Sequence, residues 1–281
     1  MTSGTEWRDL LNQQVRVNAQ SKPNRHLFAE HRAQVMRLAL AAPAPEGSSV
    51  CVLGAGNGND LELGPLTQRF ARVHLVDIDA DATAEYVAGS PALADRVECH
   101  LGIDLSGLVG TEDAGNGRTP MEPLSAQARA QIARELGGPN HGVVLSTTLL
   151  TQLVDSALTA GSSPPNDLRI ALGIREFHLR LMLDLLRPGG TGVLICDLVS
   201  SDTWEFLLSD EAEVSADLMG DLVEAGNFFT GANPYAILNW MAADPVFVDQ
   251  AHDYRCFAPW RWRISDRRAY LVYAISFTRT S

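Results

Sequence analysis

Gly54, Gly56 and Gly58 stand at alternate positions directly after the apolar run Val50-Cys51-Val52-Leu53, with Ala55 and Asn57 between them and Asn59-Asp60 following. Glycines so spaced let a turn adopt conformations closed to other residues and let a ligand approach the backbone. An apolar run entering such a loop is the pattern of a parallel strand covered on both faces. The helix expected next would present free backbone N–H groups to a ligand, with Asn59 or Asp60 as its cap. This is the chemistry of holding a nucleotide cofactor. A second apolar run, Val73-His74-Leu75-Val76, ends in Asp77, 23 residues after Gly54. A strand-end carboxylate about 20 residues on is placed to meet a ribose in a βαβ unit. Its charge strengthens the hydrogen bonds it accepts from ribose hydroxyls, and Ile78 would wall the adenine.

The spacing separates two cofactor classes. A dinucleotide fingerprint requires Gly-x-Gly-x-x-Gly, its third glycine packing helix against strand. Asn59 occupies that third position, and the glycines run Gly-x-Gly-x-Gly. This loop resembles motif I of the class I S-adenosylmethionine-dependent methyltransferases. The run Leu185-Leu186-Arg187-Pro188-Gly189-Gly190 before the apolar stretch Thr191 to Asp197 resembles another element of that family. The resemblance covers roughly residues 48–200. It implies S-adenosylmethionine as cofactor and a doubly wound α/β fold: a mixed, Rossmann-like seven-stranded sheet under an N-terminal helical cap. It also implies that the acid after the third strand, Asp104 with Leu105 beside it, receives the adenine. One position departs from the pattern: the family usually carries an acid two residues before the first glycine, where this chain has Val52.

The substrate side is read from strand ends, because ligands lie outside the carboxyl ends of strands in open α/β sheets. Of Ser146 and Thr147, closing the fourth strand, one should touch the methionine part of the cofactor or the substrate. Gln152, just beyond, is a candidate for orienting substrate. Asp197, ending the fifth strand, is a candidate base or hydrogen-bonder. Methyl transfer from a sulfonium depends mainly on alignment, and a base is needed only where the nucleophile is protonated. Among lid-helix residues, His31 reads as structural and Arg25 as solvated, while His178 reads as packing. Asp79 and Asp81 read as solvated carboxylates. Trp240, Trp260, Trp262, Tyr235 and Tyr254 gather in the C-terminal third. Trp260-Arg261-Trp262-Arg263 alternates as a strand with aromatics on one face, either packed on a helix or forming an aromatic substrate pocket or homodimer interface.

The 281 residues carry 22 Lys and Arg against 34 Asp and Glu, a net charge of −12. That weighs against a nucleic-acid partner, whose binding leans on phosphate neutralisation, and favours a small-molecule substrate. No apolar stretch reaches the ~18 residues of a membrane span, and the polar start lacks a signal core; a cytoplasmic protein is expected. The four cysteines form no Cys-x-x-Cys pair and no Cys/His cluster has metal spacing, so no metal is expected.

Two helices, Glu6 to Asn18 and Arg25 to Ala42, are expected in the cap (1–47), lying over the cofactor cleft. Residues 48–281 should form the sheet domain. Its strands alternate with helices across a loop at Gly110 to Pro123, a helix at Leu124 to Leu136 and a polar break at Thr159 to Asp167. A helix at Leu168 to Leu186, a largely helical acidic stretch at Asp202 to Glu224 and a helix at Pro234 to Ala243 should follow. A C-terminal antiparallel hairpin, Asp253 to Ile264 and Arg267 to Thr278, closes the chain. The expected function is S-adenosylmethionine-dependent methyl transfer to a small molecule. The alternatives are a non-catalytic S-adenosylmethionine- or S-adenosylhomocysteine-binding protein and a nicotinamide-dependent oxidoreductase.

Overall fold

A computed structural model describes residues 3–106, 126–159, 164–209, 211 and 213–281. The chain enters through α1 (Ser3–Ser21), a 3-10 segment at Lys22–Phe28 and α2 (Ala29–Ala41). Pro23 in the first turn of the 3-10 segment marks the break, so the second cap helix begins later than Arg25. Then come β1 (Ser49–Leu53), α3 (Leu63–Arg69), β2 (Val73–Asp77), α4 (Ala80–Ala88) and β3 (Val97–Leu101). They are followed by α5 (Ala126–Glu135), β4 (His141–Thr147), α6 (Leu149–Thr159), α7 (Pro164–Leu185) and β5 (Leu186–Ser200). The chain ends with α8 (Ala216–Glu224), α9 (Pro234–Ala243), α10 (Pro245–Gln250), β6 (Ala251–Ser265) and β7 (Arg268–Arg279).

The strands form one seven-stranded sheet in the order β3-β2-β1-β4-β5-β7-β6. β1 to β5 pair in parallel, while β7 runs antiparallel to both β5 and β6. The order reverses between β1 and β4, which makes the carboxyl ends of these two strands the natural ligand crevice. This mixed sheet with helices on both faces is the Rossmann-like class I methyltransferase fold.

Alternation along each strand builds two cores. Cys51, Leu53, Val76, Val144, Leu194 and Cys196 face a layer that includes α5, α6 and α7. Val50, Val52, Leu75, Val143, Leu145 and Ile195 face α2, α3 and the 3-10 segment. Burial on both faces is why these strands read as continuous apolar runs. Val52 lies fully buried in the second core.

Several elements differ from expectation. The loop at 110–123 and the first two residues of the helix expected from Leu124 lie outside the described residues, as do 160–163 of the polar break. α7 already begins at Pro164, because proline is tolerated in a helix's first turn. The Pro-Gly-Gly after Arg187 belongs to β5, whose pairing with β4 is irregular there. The acidic stretch holds only a 3-10 turn at Glu205–Leu208 and α8, apart from two residues outside the described set. α10 has no counterpart in the sequence pattern; Asp244 caps it by accepting from the amides of Val246 and Phe247, with Pro245 at its first position. The aromatic residues do not form one cluster. Trp260 and Trp262 pack in the second core, whereas Trp240 and Tyr254 pack against the first and Tyr235 is exposed. Val15 of α1 is exposed.

Candidate functional site

The loop after β1 is held by the carboxylate that ends β2. Asp77 Oδ2 accepts from the Gly56 amide at 2.8 Å and Oδ1 from the Asp79 amide at 2.8 Å. Burial pushes the Asp77 carboxyl up to about 6, against the pull of those amide hydrogen bonds. Each carboxylate oxygen has a further acceptor site, so the clamp leaves Asp77 able to receive ligand hydroxyls from the cleft it lines. Asp79 is buried rather than solvated: it accepts from the Ala82 amide as the cap of α4 and from Asn18 Nδ2 at 2.9 Å.

Gly56 has φ +49, and a Cβ there would lie 2.9 Å from Asn18 Oδ1. Gly58 has φ +68, and a Cβ there would meet the Tyr86 ring at 2.4 Å. Glycine is required at both by backbone conformation and by close neighbours. The cap helices tie down the same loop. Asn57 Nδ2 donates to Asn18 O and Ser21 Oγ, and Asn59 Nδ2 donates to Ser21 O at 3.0 Å. Arg25 donates to Gly58 O and Leu61 O. It is thus a brace for the loop rather than a solvated cation. Neither Asn59 nor Asp60 caps the next helix, which starts only at Leu63 after the unassisted cap Glu62. Turns bonded Gly58 N to Ala55 O and Leu61 N to Gly58 O occupy the interval, so the ligand-facing amides belong to the loop.

These parts enclose a cleft of about 450 Å³, within the range of small-molecule and cofactor sites. Twelve of the sequence-chosen residues line it: Gly54, Ala55, Gly56, Asn57, Asn59, Asp77, Ile78, Asp104, Leu105, Thr147, Gln152 and Asp197. Gly58 and Ser146 are the corrections. Gly58 turns toward Tyr86. Ser146 is fully buried, its Oγ 2.8 Å from His178 Nε2, because strand alternation sends it to the α7 face while Thr147 meets the cleft. Thr147 Oγ1 donates to Gly54 O at 2.8 Å and so joins β4 to the glycine loop.

Other residues line the cleft besides these twelve; of the aromatic ones only Trp262 is raised by the sequence, as part of a candidate aromatic pocket. Phe28, Trp262 and Tyr270 form an aromatic wall, and Trp262 meets Phe28 edge-on with centroids 5.4 Å apart. Thr148 has φ +47, a strained conformation for a β-branched residue. Strain of this kind costs about 1–3 kcal/mol and collects at functional sites. No local sequence signal marks it. The Trp-Arg-Trp-Arg alternation was a usable signal for Trp262, whereas Phe28 and Tyr270 come from opposite ends of the chain.

Two carboxyls mark the far end. Asp197 is 5% exposed; Thr151 Oγ1 donates to its Oδ2 at 2.9 Å, and its Oδ1 is buried without a partner among the described residues. Burial pushes its pKa up to about 7, and the neighbouring Asp60 charge pushes the same way. Burial also raises Asp60 to about 7, opposed by Arg32 and Arg25. His31 Nε2 lies 3.5 Å from Asp60 Oδ1; its Nδ1 meets Trp260 Nε1 at 3.0 Å and its ring stacks on Trp262. His31 is therefore a buried packing residue, held neutral by burial, which lowers its pKa to about 3. The described lining holds five aspartates (Asp60, Asp77, Asp104, Asp155 and Asp197) and no lysine, arginine or histidine.

No protein-family model matches the chain, and comparison with curated proteins gives no match. Solved structures are similar at low identity. The YcgJ protein from Bacillus subtilis is 10% identical, covering 90% of this chain and 99% of that one, at a TM-score of 0.47. An O-methyltransferase family protein from Burkholderia thailandensis is 15% identical, covering 93% and 58%, at 0.44. An rRNA methylase from Streptococcus thermophilus is 12% identical, covering 88% and 94%, at 0.40. These likenesses carry no argument about chemistry, which rests on the side chains. Among the described residues no helix is long and apolar enough to cross a membrane.

Proposed function

We propose that this chain binds S-adenosylmethionine in the cleft and transfers its methyl group to a small-molecule acceptor. The observation that carries this reading is the Asp77–Gly56 clamp, which fixes a glycine loop and a strand-end carboxylate at one point of the crevice. S-adenosylmethionine would supply a methyl carbon already activated by the positive charge on its sulfur. Asp77 would hold the ribose, Asp104, Ile78 and Leu105 the adenine, and the loop from Gly54 to Asn57 the methionine end. The acidic lining suits a cationic cofactor and disfavours a pyrophosphate, which sets a nicotinamide dinucleotide behind it.

At the other end Phe28, Trp262 and Tyr270 would seat the acceptor, with Gln152 orienting it. Asp197 Oδ1 would receive the acceptor's proton where there is one to lose; a base whose pKa lies near the working pH is the efficient choice. Alignment of acceptor and methyl carbon by these walls supplies most of the rate.

Calorimetric titration of S-adenosylmethionine, S-adenosylhomocysteine and NADH into the wild type, Asp77→Ala and Asp77→Asn tests the reading. Losing a charge-assisted hydrogen bond costs about 1.5–3 kcal/mol, so affinity for the first two should fall by roughly tenfold or more. NADH should not bind. Binding of NADH alone, or of none of the three to a folded protein, would overturn the proposal. Binding without turnover across acceptors would favour a non-catalytic binding protein.

A further inference from the structure

Outside the cleft, three side chains converge at the β2–β3 edge of the sheet. Parallel pairing sets His74 opposite Glu98 and Val76 opposite His100. Side chains alternate along a strand, so His74, Glu98 and His100 share one face and Cys99 turns to the other. His74 Nδ1 lies 3.0 Å from His100 Nε2 and 3.7 Å from Glu98 Oε2, and His100 Nε2 lies 3.6 Å from Glu98 Oε1. One donor atom from each residue falls within 4.8 Å of the others. Ligands about 2.0–2.1 Å from a tetrahedral zinc ion lie roughly 3.3 Å from one another, and the observed separations bracket that value.

The surroundings suit an ion. Both imidazoles are 12% exposed and the carboxylate 48%, so the donors are sheltered from below and open to solvent above. His141 closes one side, its ring edge-on to His74 at 4.7 Å. Its Nε2 meets Leu136 O at 2.8 Å and its Nδ1 meets Ser49 Oγ at 2.9 Å. With both nitrogens engaged, His141 is a wall and not a fourth ligand.

We propose that His74, Glu98 and His100 bind a divalent transition-metal ion of the zinc class, with solvent completing its coordination. Imidazole with carboxylate selects such an ion over magnesium or calcium, which favour all-oxygen shells. A role follows from position. β3 is an edge strand, paired among the described residues with β2 alone, and none of its residues is fully buried. An ion bridging the two strands would pin that edge to the sheet. The sequence hides the site because its ligands are 24 residues apart across a crossover, with only Glu98 and His100 close in the chain.

The competing account is a hydrogen bond between the imidazoles with Glu98 as an outer neighbour. Titrating Zn²⁺ into the chelator-treated full chain, with Co²⁺ as a spectroscopic probe, separates the two. The expected result is one strongly bound Zn²⁺ per chain, a tetrahedral Co²⁺ spectrum and a higher melting temperature with metal. His100→Ala should abolish these. Glu98→Gln, a change at a half-exposed side chain that should leave the fold intact, should weaken binding by at least tenfold. Absence of stoichiometric uptake by the wild type would overturn the proposal. So would equal uptake by both variants, which would place the ion elsewhere, as on the cleft aspartates.

Discussion

Asp197 shows how one buried carboxyl couples site chemistry to stability. Its Oδ1 has no partner among the described residues, and burial raises its pKa from 3.8 to about 7. Between those values the folded chain holds a proton that the unfolded chain has released. The contribution to stability is therefore most favourable at low pH and declines as pH rises toward 7. Asp197→Asn removes that dependence. The melting temperature of the variant minus that of the wild type should climb between about pH 4 and about pH 7, where a tenfold difference in proton affinity corresponds to about 1.4 kcal/mol. Taking the difference cancels the opposite dependence of buried His31 and His178, whose pKa values burial lowers to about 3 and about 4. A flat difference would refute the account. At this scale the sequence pointed to Asp77 and Thr147 by where apolar runs stop, but Asp197 does not end its strand: β5 continues through Leu198 and Val199 to Ser200, and Asp197 meets the cleft from within it. Nor could the sequence reveal which way Ser146 points, because one residue of register decides the face.

The cap is the element on which the glycine loop depends. Arg25 reaches from the 3-10 segment to the carbonyls of Gly58 and Leu61, with its guanidinium 5.8 Å from the centre of the Tyr86 ring. Hydrogen bonds from charged donors contribute about 1.5–3 kcal/mol. Arg25→Ala should destabilise the chain by about 2 kcal/mol in denaturant unfolding and weaken S-adenosylmethionine binding in parallel. Arg25→Lys should recover little, since a single ammonium does not reproduce the planar fork. Unchanged affinity with lowered stability would reduce Arg25 to a fold contact. The long α7, α9 and the terminal hairpin were legible because periodicity and flanking prolines mark them. The 3-10 entry and α10 were not: each is a short segment whose hydrogen bonds, not its apolar pattern, define it.

At the scale of the molecule, the doubly wound sheet was legible because strands covered on both faces must be apolar throughout, and the central strands are. Pairings across crossovers were not, which is why the His74–Glu98–His100 group appears only in three dimensions. Charge gives the last test. The chain carries −12 overall, and the described cleft lining holds aspartates and no basic residue. S-adenosylmethionine carries a sulfonium charge that S-adenosylhomocysteine lacks, and the two are otherwise closely alike. A field of one sign should favour the charged member, and salt should erode that preference, because the screening length falls from about 30 Å at 0.01 M to about 3 Å at 1 M. Titrations of both ligands from about 0.02 M to about 0.5 M salt should show S-adenosylmethionine affinity falling more steeply than that of S-adenosylhomocysteine. Parallel slopes would mean that the aspartates are neutralised or turned inward, leaving shape and hydrogen bonding to hold the cofactor. A steeper slope for S-adenosylmethionine that flattens in Asp197→Asn would place the sulfonium within reach of that carboxylate, and so would orient the methyl group toward the aromatic end of the cleft.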